Sequence, residues 1–117
     1  MEYIHSRVRE KKNNEQLELD VVAYANSALN SVYVVEIKSH LRREDIDQVK
    51  VALEKFRRFH PEHQDKHLYG IIALVDGRDE LKAEVLEAGL YLAHIDDHLF
   101  KMSVPKNFMP KDFGAES

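Results

Sequence analysis

The stretch Val32-Tyr33-Val34-Val35-Glu36-Ile37-Lys38 decides how this chain is read. Its β-branched and aromatic residues suit a pleated, packed surface, so it is expected to be a strand. A run this apolar belongs in the middle of a sheet, where a charge is costly unless it is paired or bound to a metal. Yet Glu36 and Lys38 stand near its end, two residues apart. Strand alternation places both on one face, about 7 Å apart. The preceding apolar segment, QLELDVVAYA over residues 16–25, alternates in the same way: Leu17, Leu19 and Val21 fall on one face, Glu18, Asp20 and Val22 on the other. If the two segments are antiparallel neighbours, Asp20 comes close to Glu36, and two carboxylates and an ammonium converge.

Working outward, residues 3–9 read as a short strand, and Lys12-Asn13-Asn14-Glu15 as a turn. Asn26-Ser27 and Asn30-Ser31 bracket a second turn, so the first three strands form an antiparallel meander. The period then changes. Ile46, Val49, Leu53 and Phe56 are spaced three, four and three apart, which predicts an amphipathic helix from Arg43 to Phe59. His60-Pro61 ends it, because proline disfavours helix in the residue before it. Residues 68–75 read as a buried strand, Asp76-Gly77 as a turn, and residues 79–88 as a helix closed by Gly89 in the left-handed capping position. Residues 90–95 form another strand. Asp96-Asp97 turns the chain into a last strand over 98–104, stopped by Pro105. The expected order is β-β-β-α-β-α-β-β, an α/β (α+β) domain over residues 1–105 with a mixed sheet and helices packed on it. Residues 106–117 read as a loosely docked tail.

Composition narrows the chemistry. At 117 residues and 44% apolar the chain suits one domain with a real core. It has no cysteine, which excludes disulfides, thiolate metal sites and a cysteine nucleophile. No apolar run approaches the roughly 18–20 residues needed to span a bilayer, and MEYIHSRVREKK has no signal-peptide core; a cytoplasmic location is expected. The net charge of −4 gives no global pull toward nucleic acid. Lys and Arg balance Asp and Glu over residues 1–66, and the acidic excess lies in residues 67–117. Only four glycines are present and none forms a phosphate-binding loop. No serine sits in a nucleophile elbow.

Asp20, Glu36 and Lys38 have a clear joint use. Two carboxylates are hard oxygen ligands for Mg²⁺ or Mn²⁺. The metal acidifies a water and stabilises charge on a phosphoryl oxygen, and a neighbouring lysine orients that water or offsets the developing charge. Asp20, fifteen residues, then Glu36-Ile37-Lys38 resembles the signature of the PD-(D/E)XK nuclease superfamily, an acid on one strand and E-x-K or D-x-K on the next. The likeness is nearest to an uncharacterised prokaryotic family of that superfamily, on the pattern LELDVVAYANSALNSVYVVEIKSHLRREDIDQ and the segment Asn107 to Phe113, and covers the chain from about residue 15 onward. It implies a restriction-endonuclease-like fold and a metal-dependent nuclease acting on DNA. It assigns Asp20 and Glu36 as metal ligands, the Ile37 carbonyl as a third, Lys38 as the catalytic lysine, and Gln48 as the glutamine that some branches place beside the site. Arg42, Arg43 and Lys50, which follow the site closely, are expected to hold phosphates. The superfamily usually begins with a helix. Here the first residues read as a strand, so a truncated or minimal form is expected, with one sheet face short of cover and a homodimer or other partner over it. The alternative function is a catalytically inactive module of the same fold, for nucleic-acid binding or protein assembly.

Three other features compete less well. His60, His63 and His67 lie close together and zinc favours imidazole, but they span a helix end and a loop, with no regular spacing to converge the rings. Glu18 shares the face of Asp20 and reads equally as an outer acid or as exposed alternation. Asp96, Asp97 and His98 read as turn chemistry.

Overall fold

A computed structural model of the chain describes residues 2–12, 14–25, 30–96 and 99–114. Strands β1 (Glu2–Lys12), β2 (Glu15–Ala25) and β3 (Ser31–His40) lead into helix α1 (Arg43–Phe59). A 3₁₀ turn (Pro61–His63) precedes β4 (His67–Asp76), and α2 (Asp79–Glu87), β5 (Tyr91–Asp96) and β6 (Leu99–Met102) complete the order. The six strands form one sheet in chain order. The meander β1–β2–β3 is antiparallel, β3–β4 and β4–β5 are parallel across the two helices, and β6 returns antiparallel to β5. The expected order and mixed sheet are therefore present. β1 runs further than residues 3–9, because its pairing with β2 continues to Lys12↔Glu15. Asn14 and Asn30 turn the chain with positive φ of 66° and 45°, a conformation asparagine tolerates. The expected turn at Asn26-Ser27 lies outside the described residues, as do Asn13 and, from the expected Asp96-Asp97 turn, Asp97.

Both helices pack on one face of the sheet. The three-four-three spacing of α1 places Ile46, Val49, Leu53 and Phe56 against Val32 and Val34 of β3 and Ile72 and Leu74 of β4, joined by Leu81 and Val85 of α2. Leu53 is fully buried; truncating such a residue to alanine costs about 2–5 kcal/mol. Gly70 lets α1 come this close, since a Cβ there would fall 2.6 Å from the Leu90 side chain and 2.8 Å from that of Leu53. The opposite face carries a separate cluster of Ile71, Ala73 and Ala93 with Tyr33, Val35, Tyr91 and Ile95, to which no helical residue contributes among the described residues. Tyr33 and Tyr69 lie 5.5 Å apart there, and Ile37 is 47% exposed.

Residues 111–114 are hydrogen-bonded to the domain rather than loosely docked. The Lys111 N–H donates to the Gly89 carbonyl and the Phe113 N–H to that of Leu68. The Asp112 carboxylate accepts from the backbone N–H groups of Leu68 and Gly114, both at 2.9 Å, and so satisfies the open start of β4. Among the described residues, no helix is long and apolar enough to cross a membrane.

Candidate functional site

The expected cluster forms where β2 leaves β3. Pairing between these strands runs from Ala25↔Ser31 to Val21↔Val35. Leu17, Leu19 and Val22 are all buried. The first two differ in strand parity from the third, so β2 turns over between Leu19 and Val22. Asp20 sits at that turnover. Instead of continuing the ladder, its Oδ2 accepts a hydrogen bond from the Ile37 N–H at 2.8 Å. The N–H and C=O of a strand residue point to the same edge, so the Ile37 carbonyl opens on the same gap.

Glu36 lies beside Asp20 with its Oε1 buried and without a hydrogen-bond partner among the described residues. Burial, reinforced by the Asp20 carboxylate next to it, pushes the Glu36 carboxyl up to about 7. Lys38 follows on the same face. Its Nζ is 3.6 Å from Asp45 Oδ1 in the first turn of α1. Asp45 is itself buried, and its Oδ2 accepts from the Arg42 N–H at 2.8 Å. One carboxylate therefore caps the helix start and holds the lysine. Asp45 went unrecognised in the sequence, although an acid at the third helical position is a capping signal.

Asp20, Glu36, Ile37 and Lys38 line one polar cavity of about 470 Å³, which Arg9 and Glu18 also reach. Arg9 Nε is 3.7 Å from Glu18 Oε1, and both side chains are mostly exposed. Glu18 is therefore an outer acid of the same cavity. The other expected residues lie elsewhere. Gln48 is on an exposed face of α1, in a neighbouring groove with Gln16 and Glu44. Arg42 is exposed at the start of α1. Arg43 grips Glu84 of α2 through Nε and Nη2 at 2.8–3.2 Å. Lys50, two turns further along, lines a groove with Glu84 and Glu87. Arg43 and Lys50 are close to the cluster in sequence, but helical periodicity turns them toward the acids of α2.

A second cluster contradicts the expectation that the histidine rings fail to converge. The His63 N–H donates to the His60 carbonyl at 2.9 Å, closing the 3₁₀ turn. With three residues per turn, positions i and i+3 eclipse, and the rings lie 5.8 Å apart, with His60 stacked on Phe56 at 4.6 Å. His60 Nε2 is 2.6 Å from Glu10 Oε1, and its Nδ1 is 2.9 Å from Glu62 Oε2. Burial opposes charge on His60, but the hydrogen bonds to Glu10 and Glu62 outweigh it and raise its pKa. Burial lowers that of His63, whose Nδ1 is buried with no partner among the described residues. His67 stays apart, 2.6 Å from Asp112. The signal available in the sequence was Pro61, which starts a short 3₁₀ turn more readily than it continues a helix.

No protein-family model, curated protein or solved structure matches the chain.

Proposed function

We propose that the Asp20–Glu36–Lys38 cavity is the active centre of a divalent-metal-dependent nuclease of the PD-(D/E)XK type, hydrolysing phosphodiester bonds of DNA, on a restriction-endonuclease-like fold. One observation carries the reading: two adjoining carboxyl groups, one with a buried unpartnered oxygen, share a polar cavity with a lysine. Charge repulsion and an orphaned oxygen are what a cation would relieve, so the donor set fits Mg²⁺ or Mn²⁺. Asp20, Glu36 and the Ile37 carbonyl would hold it. The metal supplies Lewis acidity toward a phosphoryl oxygen and an acidified water.

The remaining work falls to the chain. The Ile37 N–H fixes one Asp20 oxygen. Asp45 holds Lys38 Nζ in a position where its N–H donors meet charge developing on the phosphate. Arg9, at the rim, is placed for a flanking phosphate better than Arg43 or Lys50, and Arg42 remains exposed for the same task. Plasmid and oligonucleotide cleavage in Mg²⁺ or Mn²⁺ tests the reading. Absence of cleavage, or cleavage undiminished in both Glu36→Gln and Lys38→Ala, would overturn it.

A second reading, a non-catalytic module for assembly or nucleic-acid binding, draws on a different observation. Among the described residues no helix covers the tyrosine-bearing sheet face, and Leu99, Phe100 and Met102 of the edge strand β6 are exposed. This reading expects a stable homodimer by light scattering and no metal-stimulated hydrolysis. The nuclease reading requires the hydrolysis, with or without the dimer.

A further inference from the structure

We propose that His60, Glu62 and His63 form a second metal site, selective for a zinc-class ion and distinct from the nuclease centre. It goes beyond the nuclease reading and does not depend on it. One ligand atom from each of the three lies within 4.8 Å of the others. A tetrahedral shell with bonds of about 2.0–2.1 Å needs its donors about 3.4 Å apart. Glu62 is the movable member, with a side chain 59% exposed, whereas the His60 and His63 side chains are only 17% and 24% exposed. Glu62 Oε2 is 2.9 Å from His60 Nδ1 and 3.9 Å from His63 Nε2, so closing the shell needs the His63 ring to approach His60 as well as Glu62 to adjust.

Two further observations point to a ligand. The His63 Nε2 faces Glu62 Oε2 at 3.9 Å, too far for a hydrogen bond, while its Nδ1, across the ring, is buried without a partner among the described residues. Glu10 meanwhile sits behind His60. It engages Nε2 at 2.6 Å and so turns Nδ1 toward Glu62 and His63. A carboxylate on the far nitrogen of a ligating histidine fixes its tautomer and orientation and raises its basicity. Here that carboxylate comes from β1, while the ligands come from the C-terminal cap of α1 and the turn after it. A bound ion would therefore brace the β1–β2 hairpin against the end of α1. Two imidazoles and a carboxylate favour zinc over magnesium, and three protein ligands leave a fourth position open.

The test is metal titration of the full chain by calorimetry with Zn²⁺, and by visible absorption with Co²⁺ as a spectroscopic substitute. With excess Mg²⁺ present to occupy the nuclease centre, one equivalent of Zn²⁺ is expected, with a tetrahedral Co²⁺ spectrum. His63→Ala and Glu62→Gln should each weaken binding at least tenfold, and Glu10→Gln about 10–100-fold. Glu36→Gln should leave the zinc isotherm unchanged. Glu62 is at the surface, so Glu62→Gln tests the site even if His63→Ala fails to fold. No Zn²⁺ binding by the wild-type chain, or binding that survives Glu62→Gln undiminished, overturns the proposal. So does loss of the zinc isotherm in Glu36→Gln.

Discussion

The two polar clusters are attached to opposite ends of α1 and balance their charge differently. Lys38 is tied to Asp45 in the first turn of the helix, and His60 caps its last. The Asp20–Glu36 pair is assembled from two strands by sheet pairing, which forces two carboxyl groups together and leaves one oxygen orphaned. The histidine cluster is assembled locally by a 3₁₀ turn and is nearly self-satisfied, with His60 held between Glu10 and Glu62. The first cluster costs folding free energy when both carboxyl groups are charged. The second contributes to it, and only His63 is left unsatisfied. A group that opposes the fold around it points to function more strongly than one that supports it.

The comparison breaks most visibly in catalysis. Lys38→Ala is expected to reduce metal-dependent cleavage by about 10²–10³-fold, the usual loss on removing a donor that meets transition-state charge. Glu62→Gln, in the other cluster, should leave cleavage within twofold of wild type. Steady-state cleavage of a labelled oligonucleotide measures both. Equal losses would mean that the two clusters act as one site.

The next effect is on stability. In the unfolded chain Glu36 titrates near 4.5, and in the folded protein near 7. The folded state thus holds the proton more tightly, and stability falls as pH rises from 4.5 through 7. That shift corresponds to about 3 kcal/mol before screening, and partial solvent access reduces it to about 2 kcal/mol. Glu36→Gln should therefore stabilise the metal-free protein by about 2 kcal/mol at pH 8 and hardly at all at pH 4, measured by urea unfolding with a chelator present. Adding Mn²⁺ should stabilise the wild type at pH 8 and not the variant.

The two clusters also differ in how legible they were. Glu36 and Lys38 announced themselves as charges in a β-branched run, and strand alternation put them on one face without knowledge of the fold. Asp20 needed only the assumption that neighbouring apolar segments pair. Helix α1 was legible to the residue, because its apolar spacing and His60-Pro61 both mark it. The histidines were misread because a 3₁₀ turn has neither of the periods that were sought. Arg43 and Lys50 were misplaced for another reason: nearness in sequence was taken for nearness in space, and only the packing of α2 showed which way they face. Asp112 was missed because its role depends on a strand start more than forty residues away.

Asp45 sharpens the comparison at a smaller scale, since it serves both the helix and the lysine. Asp45→Ala leaves the Arg42 N–H without its acceptor and frees Lys38. A loss of about 1–2 kcal/mol is expected in urea unfolding. Cleavage should fall through kcat more than through KM, because Lys38 remains present but unpositioned.

The smallest effect concerns the histidines themselves, and a Glu36→Gln background exposes it by removing the larger titration in the same pH range. His60 has a raised folded pKa, so its contribution is full below pH 6.5 and is lost as pH rises through the folded value. His63 has a lowered one, so its contribution is present above pH 6.5 and is lost as pH falls through the folded value. Glu10 and Glu62 face His60; Glu62, Asp65 and Lys66 act on His63. The two histidines act on opposite sides of pH 6.5, so metal-free stability should pass through a shallow maximum near pH 6.5, with changes within about 1 kcal/mol for such partly exposed groups. Replacing His63 with glutamine removes the fall below pH 6.5 and leaves only the decline above it. Replacing Glu10 with glutamine as well should flatten the curve again, because His60 loses the partner that most favours its charged form. A fall on the acid side of pH 6.5 that survives the loss of His63 would mean that another group carries it, and that only one ring of the cluster responds to its surroundings as the geometry requires.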